Sequence, residues 1–208
     1  MDIKSIQRRI ENDETIIGEE LAKKSAVLLP LIKEGESWSL LLEVRAASLA
    51  RQPGDVCFPG GRSEEVDATL EETAVRETCE ELGVAKEAIT VIGRMGTCIA
   101  DREHFIYPFI GVLNQETSLA LNSDEVAECF TIPVPWLLKQ VPERRTLRFS
   151  VAQKQDFPFE RIQSGSSYPF RNLTTTELFY TYHGHTIWGL TARMLEHFSF
   201  LMNHRMFA

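Results

Sequence analysis

Apolar positions in this chain fall mostly into short runs bounded by turn residues, with a helical period in a few places. "SAVLLPLI" (25–32) and "WSLLLEVRA" (38–46) flank the turn "KEGE" and predict two strands. More strands are expected at 88–97, 104–114 ("HFIYPFIGVLN") and 125–132. A strand-rich stretch over 146–188 includes "TLRFSVAQ" and "TELFYTYHG". Residues 3–22 read as a polar helix, and a short helix is expected near Pro135 in "PWLLKQ". The loop "SLARQPGDVCFPGGRSEEVD" leads into a helix from Thr69 to Leu82. Thr69 and Glu72 fit a capping box there, and Gly83 supplies the stop. The chain closes on a helix within 190–206, where Met194, Leu195, Phe198, Leu201 and Met202 share a stripe suited to a sheet or a homodimer seam. Strands and helices mix along one expected domain (1–208, with 1–22 as an N-terminal helical extension), so the class is α/β or α+β.

At 208 residues and 43% hydrophobic, the chain can bury one sizeable core and is too short for two full domains. Its formal charge of −8 argues against nucleic acid or a membrane surface as partner, since either calls for a basic face. An anionic small molecule stays open, because a bound cation reverses the local sign. Cys57, Cys79, Cys98 and Cys129 are far apart and read as small reduced hydrophobes. The polar start is no signal peptide, and no apolar run approaches the ~20 residues of a membrane span. The cytoplasm is the expected location.

The chemistry concentrates in "CFPGGRSEEVDATLEETAVRETCEELGV" (57–84). On a helix, Glu77, Glu80 and Glu81 fall within an arc of about 100°, with Val75, Cys79 and Leu82 clustered opposite them. Like charges at this spacing repel by a few tenths of a kcal/mol each, roughly. A divalent cation turns that cost into binding, since carboxylates, waters and phosphate oxygens are the usual surroundings of Mg²⁺. Gly60 and Gly61 allow positive φ and close approach to a ligand, and Pro59 stiffens the entry. A run of charges on a helix is usually a solvated face. The fixed letters of R-E-x-x-E-E-x-G, however, arise by chance on the order of once per million start positions.

This stretch resembles the Nudix box, through Gly61, the acid Asp67, Arg76-Glu77, Glu80-Glu81 and Gly83-Val84. It departs in one extra residue between Asp67 and Arg76, and in Thr78, where an aliphatic residue is usual. The extra residue is typical of the coenzyme A pyrophosphatase branch. "LLEVRAASLARQPGDVCFPGG" is similar to that branch's second signature through Leu41, Leu42, Arg45, Ala46, Gly54, Phe58, Pro59, Gly60 and Gly61. Glu43 stands where that signature has Thr, and Ala50 where it has Arg, with Arg51 one place late.

The resemblance implies a Nudix-type α/β/α sandwich with a mixed sheet. It implies hydrolysis of a pyrophosphate in coenzyme A or a related nucleotide, with Mg²⁺ or Mn²⁺ held by Glu77, Glu80 and Glu81. Arg76 reads as an orienting partner that pairs bidentately with a helix carboxylate. The base is open among Glu80, Glu81, Glu125 and Glu128. Arg45 and Arg51 are candidates for the substrate phosphates, beside Gly60 and Gly61. His183 and His185 read as turn residues, and Trp136 and Trp188 as core. Two alternatives stand beside this reading: a Nudix hydrolase acting on ADP-ribose or a dinucleoside polyphosphate, and a Nudix-fold domain that binds a nucleotide without cleaving it.

Overall fold

Two adjacent apolar runs build the centre of the sheet. β1 (Lys23–Glu34) and β2 (Ser37–Arg45) pair antiparallel from Leu31 opposite Leu40 to Glu34 opposite Ser37. They turn at Gly35, whose φ of 61° favours a residue without Cβ. The structure, a computed structural model, describes residues 2–10, 16–101, 103–114, 117–150 and 157–203. Away from the turn the hairpin splays, and the glycine-rich loop fills the gap with two very short strands. β3 (Val56–Cys57) pairs with β2, and β4 (Gly60–Arg62) pairs with β1.

β5 (Ile89–Arg94) and β6 (Cys98–Asp101) both pair antiparallel with β7 (His104–Leu113), which lies parallel to β1. β8 (Val126–Pro133) pairs antiparallel with β2, with a bulge between Val44 and Arg45. The result is a mixed eight-stranded sheet. A smaller antiparallel sheet holds β9 (Glu143–Phe149), β10 (Leu173–Tyr182) and β11 (His185–Trp188).

Both faces of β1 and β2 are covered, which is why these strands are apolar without alternation. Ala26, Leu28 and Leu41 face one way, onto α2 (Leu70–Leu82), which meets the sheet through Ala74 and Leu82. Leu29, Leu40 and Leu42 face the other way. There they meet α3 (its one turn, Val134–Leu137), the small sheet and α4 (Gly189–Asn203) through Leu137, Ile187, Leu195 and Phe198. Each fully buried leucine contributes about 1.5–3 kcal/mol relative to exposure. The charged stretch of β2 therefore has two possible destinations, and parity selects one. Glu43 and Arg45 share the face of Leu41, toward α2.

Several expectations need correction. The helix expected over 3–22 is observed only as an eight-residue helix, Ile3–Ile10; residues 11–15 lie outside the described residues. Residues 16–22 hold a 3-10 turn at Glu19–Leu21 that follows Gly18 at φ 95°. That segment is tied down by the Tyr107 hydroxyl, which donates to Glu19. The loop before α2 contains β3 and β4, too short and too rich in glycine to show as a period. Within 146–188, residues 157–172 form turns, so the region divides into β9 and the β10–β11 hairpin. Trp188 is 40% exposed, stacked on Phe179 with its indole N–H on Asp55, so it is not core. On α4, Met202 is exposed although Met194, Leu195 and Phe198 are buried. Residues 204–206 of the expected closing helix lie outside the described residues.

Candidate active site

α2 starts and stops where its sequence dictates. Thr69 Oγ1 accepts the N–H of Glu72 at 3.2 Å, and Gly83 ends the helix at φ 64°. At Gly83 a Cβ would lie 2.0 Å from the Ala120 carbonyl oxygen, because the loop 119–125 folds tightly over this end. That loop donates the N–H groups of Ala120 and Asn122 to the last carbonyls of the helix, those of Leu82 and Glu81, at 2.9 Å each. It thereby carries Glu125 to the edge of the glutamate cluster.

The carboxylates of α2 are not equivalent. Glu80 is 54% exposed and Glu77 is 16% exposed, both measured on the side chain, whereas Glu81 is 4% exposed and turned to the sheet. Glu81 Oε2 accepts the Gly60 N–H at 2.8 Å. Gly60 has φ 149°, and a Cβ there would strike the Ala26 carbonyl at 2.3 Å, so only glycine lets β4 approach β1 this closely. Gly61 serves differently from expectation. Its backbone is not left-handed, but a Cβ would sit 2.4 Å from the Glu77 carboxyl carbon, so the missing side chain makes room for a carboxylate of the protein itself.

Arg76 is an orienting residue whose bidentate partner lies off the helix. Nε and Nη2 fork onto Asp67 at 2.8 and 3.0 Å, Nη1 donates to Glu80 at 3.1 Å, and Nη2 lies 3.0 Å from Glu77. Nη2 also donates to the Arg62 carbonyl at 3.2 Å, locking the loop to the helix. These hydrogen bonds hold the Asp67 carboxyl well below the usual range. Thr78, in a position that is usually aliphatic, is fully buried; its hydroxyl is satisfied by donating to the Ala74 carbonyl at 2.6 Å.

The sheet adds an acid that the sequence reading did not single out for the site. Glu43 is 1% exposed on β2, directly opposite Cys57 on β3 and Cys129 on β8. A lone acid inside the apolar run "LLLEVR" was the available signal. Burial first, then the charge of Glu43, pushes the Glu81 carboxyl up; Glu77 and Glu125 add to this, while the Gly60 N–H opposes it. Glu43 is raised mainly by burial. Glu77 is also raised by burial, against the pull of Arg76. The same desolvation pushes the Cys129 thiol up to about 12.

Other expected residues are distributed around this cluster. Arg45 shares the Glu43 face; its Nη2 reaches the Arg51 carbonyl at 3.4 Å, and its buried Nε has no hydrogen-bond partner among the described residues. Arg51 is exposed. Glu128 pairs with Val44 and lies on the opposite face of the sheet, 3.8 Å from His185. The structure thus brings Glu125, not Glu128, to the glutamates. His185 belongs to β11 and stacks on Phe130, while His183 occupies the turn at φ 46°.

The donor set fits a divalent cation. Hard oxygens predominate, the acids crowd one another beyond what Arg76 and Arg45 neutralise, and the Gly60–Gly61 backbone leaves space for them. Among the described residues no three His, Cys, Asp or Glu side chains converge tightly enough to enclose an ion as they stand. In this arrangement Glu77 and Glu80 lean to Arg76, and Glu81 leans to the Gly60 amide.

Comparison with known proteins agrees with this geometry. A NUDIX domain model matches residues 22–149. The peroxisomal coenzyme A diphosphatase NUDT7 of Mus musculus is 35% identical over 117 residues, covering 56% of this chain and 50% of that protein. The chain thus spans about half the length of that relative. Nudix hydrolase 3 of Caenorhabditis elegans is 34% identical, covering 86% of this chain and 72% of the relative. The uncharacterized Nudix hydrolase NudL of Photorhabdus laumondii is 30% identical, covering 84% and 82%. With the box folded as a loop and helix against a mixed sheet, and the family model spanning more than half its length, the chain belongs to the Nudix hydrolases, enzymes that act on pyrophosphate bonds.

Proposed function

We propose that this Nudix hydrolase cleaves the pyrophosphate of coenzyme A or its derivatives, giving 3′,5′-ADP and (acyl-)4′-phosphopantetheine. The observation that carries the reading is Arg45. It is a cation at the border of the carboxylate cluster, on the same face of β2, with a buried Nε that has no partner among the described residues. The Nη2 end of that guanidinium, on the exposed side near the Arg51 carbonyl, suits an anionic group of the substrate. The 35% identity to a relative named as a coenzyme A diphosphatase points the same way.

Nudix hydrolases generally use divalent cations. Mg²⁺ or Mn²⁺, held here by Glu77, Glu80 and Glu81, would neutralise the pyrophosphate and the charge developing on the leaving oxygen. In the reaction a water oxygen forms a bond to one phosphorus, the bond from that phosphorus to the bridging oxygen breaks, and a water proton is lost. We assign that proton to Glu125, half-buried on the loop beside the cluster, whose charge acts on Glu81. Arg76 keeps Glu77 and Glu80 in place while Asp67 holds Arg76.

Coenzyme A carries a 3′-phosphate that dephospho-coenzyme A and ADP-ribose lack. A chain of charge −8 recognises it through local contacts rather than a long-range field. One hydrogen bond to a charged group is worth about 1.5–3 kcal/mol, or roughly 10- to 150-fold. The test is kcat/KM with Mg²⁺ or Mn²⁺ on coenzyme A, dephospho-coenzyme A, ADP-ribose and a dinucleoside polyphosphate. Coenzyme A is expected to exceed its dephospho form by about that factor, and Arg45→Ala to erase the difference. Equal rates on both would make this a broader dinucleotide pyrophosphatase.

A further inference from the structure

Among the described residues, Glu43 is the one acid of this cluster that comes from the sheet and not from α2 or its flanking loops. A thiol flanks it on either side, since Cys57 and Cys129 are its direct cross-strand neighbours. Cys57 Sγ donates to Glu43 Oε1 at 3.2 Å, and Oε2 is buried with no hydrogen-bond partner among the described residues. A thiol is a weak donor, so this contact leaves the carboxylate poorly compensated. Arg45 does not close the gap with a hydrogen bond, for its Nη2 donates to the Arg51 carbonyl. A buried carboxylate left this way is costly unless something else binds it.

The packing shows what faces it. Leu41, two residues before Glu43, lies in one cluster with Leu82, the residue after Glu81, and Cys79 and Cys129 border the same cluster. Glu43 and Glu81 therefore occupy adjoining places in the seam between β2 and α2. Both are nearly free of solvent, at 1% and 4% exposure. Two acids so placed repel each other in a medium of low polarity, and a divalent ion between them reverses the sign of the interaction.

We propose that Glu43 is a cation ligand, acting with Glu81 at the inner end of the site, so that the ion is held by sheet and helix together. This rests on the hydrolase reading above. One oxygen from each acid suffices, the remaining positions going to Glu77 or Glu80, water and substrate phosphate.

The test is Mn²⁺ binding to the full chain, followed by loss of the free-ion electron paramagnetic resonance signal, with melting of the metal-free protein as a second readout. Glu43→Gln keeps the shape and the acceptor for Cys57 while removing the charge. Glu43→Asp keeps the charge and withdraws the oxygens by one methylene. Both are expected to raise the Mn²⁺ Kd at least tenfold, with the metal-free Gln variant melting no lower than the parent. If Glu43→Asp binds Mn²⁺ as tightly as the parent, Glu43 supplies only a nearby charge and the proposal fails. Unchanged binding by Glu43→Gln overturns it as well. A parent protein that binds no Mn²⁺ overturns the cation site as a whole, and with it the metal-dependent mechanism proposed above, an outcome distinct from either variant result.

Discussion

Glu81 meets two demands at once. Its carboxylate anchors the Gly60 turn through a backbone N–H, yet it is buried against other acids that oppose its ionisation. Replacement by glutamine keeps a side-chain oxygen for that N–H and removes the repulsion. Glu81→Gln is therefore expected to lower kcat by at least ~10²-fold, while the metal-free protein melts at the same or a higher temperature; near-normal turnover, or full activity in excess EDTA, would refute the role. Gly61→Ala tests the opposite kind of damage. Its new Cβ would displace the Glu77 carboxyl from 2.4 Å, so activity should fall with the glutamates all present, and divalent-ion affinity measured by calorimetry should fall with it. The three helix acids were legible because their spacing is fixed by the helical turn. The burial of Glu81 was not, since a wheel gives angles between residues but not which angle the sheet covers. Nor was the role of Asp67, because only the folded loop brings it under the Arg76 fork.

At the scale of the element, α2 was legible almost to the residue. The capping threonine and the glycine stop are local chemistry and act as expected, whereas the buried side takes in Thr78 and Glu81 beside Val75 and Leu82 and leaves Cys79 only partly covered. Thr69→Ala removes the acceptor for the Glu72 N–H and should cost about 0.5–2 kcal/mol. For a chain of this size that is a fall in Tm of roughly 2–4 °C per kcal/mol, measurable by calorimetry. Chemistry should survive, because Arg76 and Asp67 still fix the helix to its loop. β3 and β4 escaped notice for a physical reason. Two or three residues carry no period, and these pair only because β1 and β2 splay apart. The polar N-terminal segment misled in the opposite direction: within 16–22 the chain forms a 3-10 turn after Gly18 and not an α-helix, held by the Tyr107 hydroxyl on Glu19.

For the molecule as a whole, the acids on the α2 side of the sheet couple stability to pH. Glu81 and Glu43 are raised above their unfolded values. Groups shifted this way contribute stability that is fully present below about pH 4 and lost as pH rises through the folded values. Asp67 is lowered, so its contribution is present above about pH 4 and lost on further acidification. Between about pH 5 and pH 9 the raised pair decides the slope. Tm of the metal-free protein is expected to fall across that interval, and saturating Mg²⁺ to flatten the fall, its benefit growing with pH. A metal-free Tm that rises with pH would contradict the raised pair. A different kind of consequence follows from the parallel pairing of β1 with β7. Ser25 and His104, joined side chain to side chain at 2.8 Å, stand 79 residues apart in the chain. Loops of that length close slowly during folding. The signature helix is local in sequence and can form early, but the sheet it must lean on, and the loop that delivers Glu125, await residues synthesised well after it. A nascent chain thus displays its acids before it has a site, and competence to hydrolyse arrives only when β7 and β8 are in place.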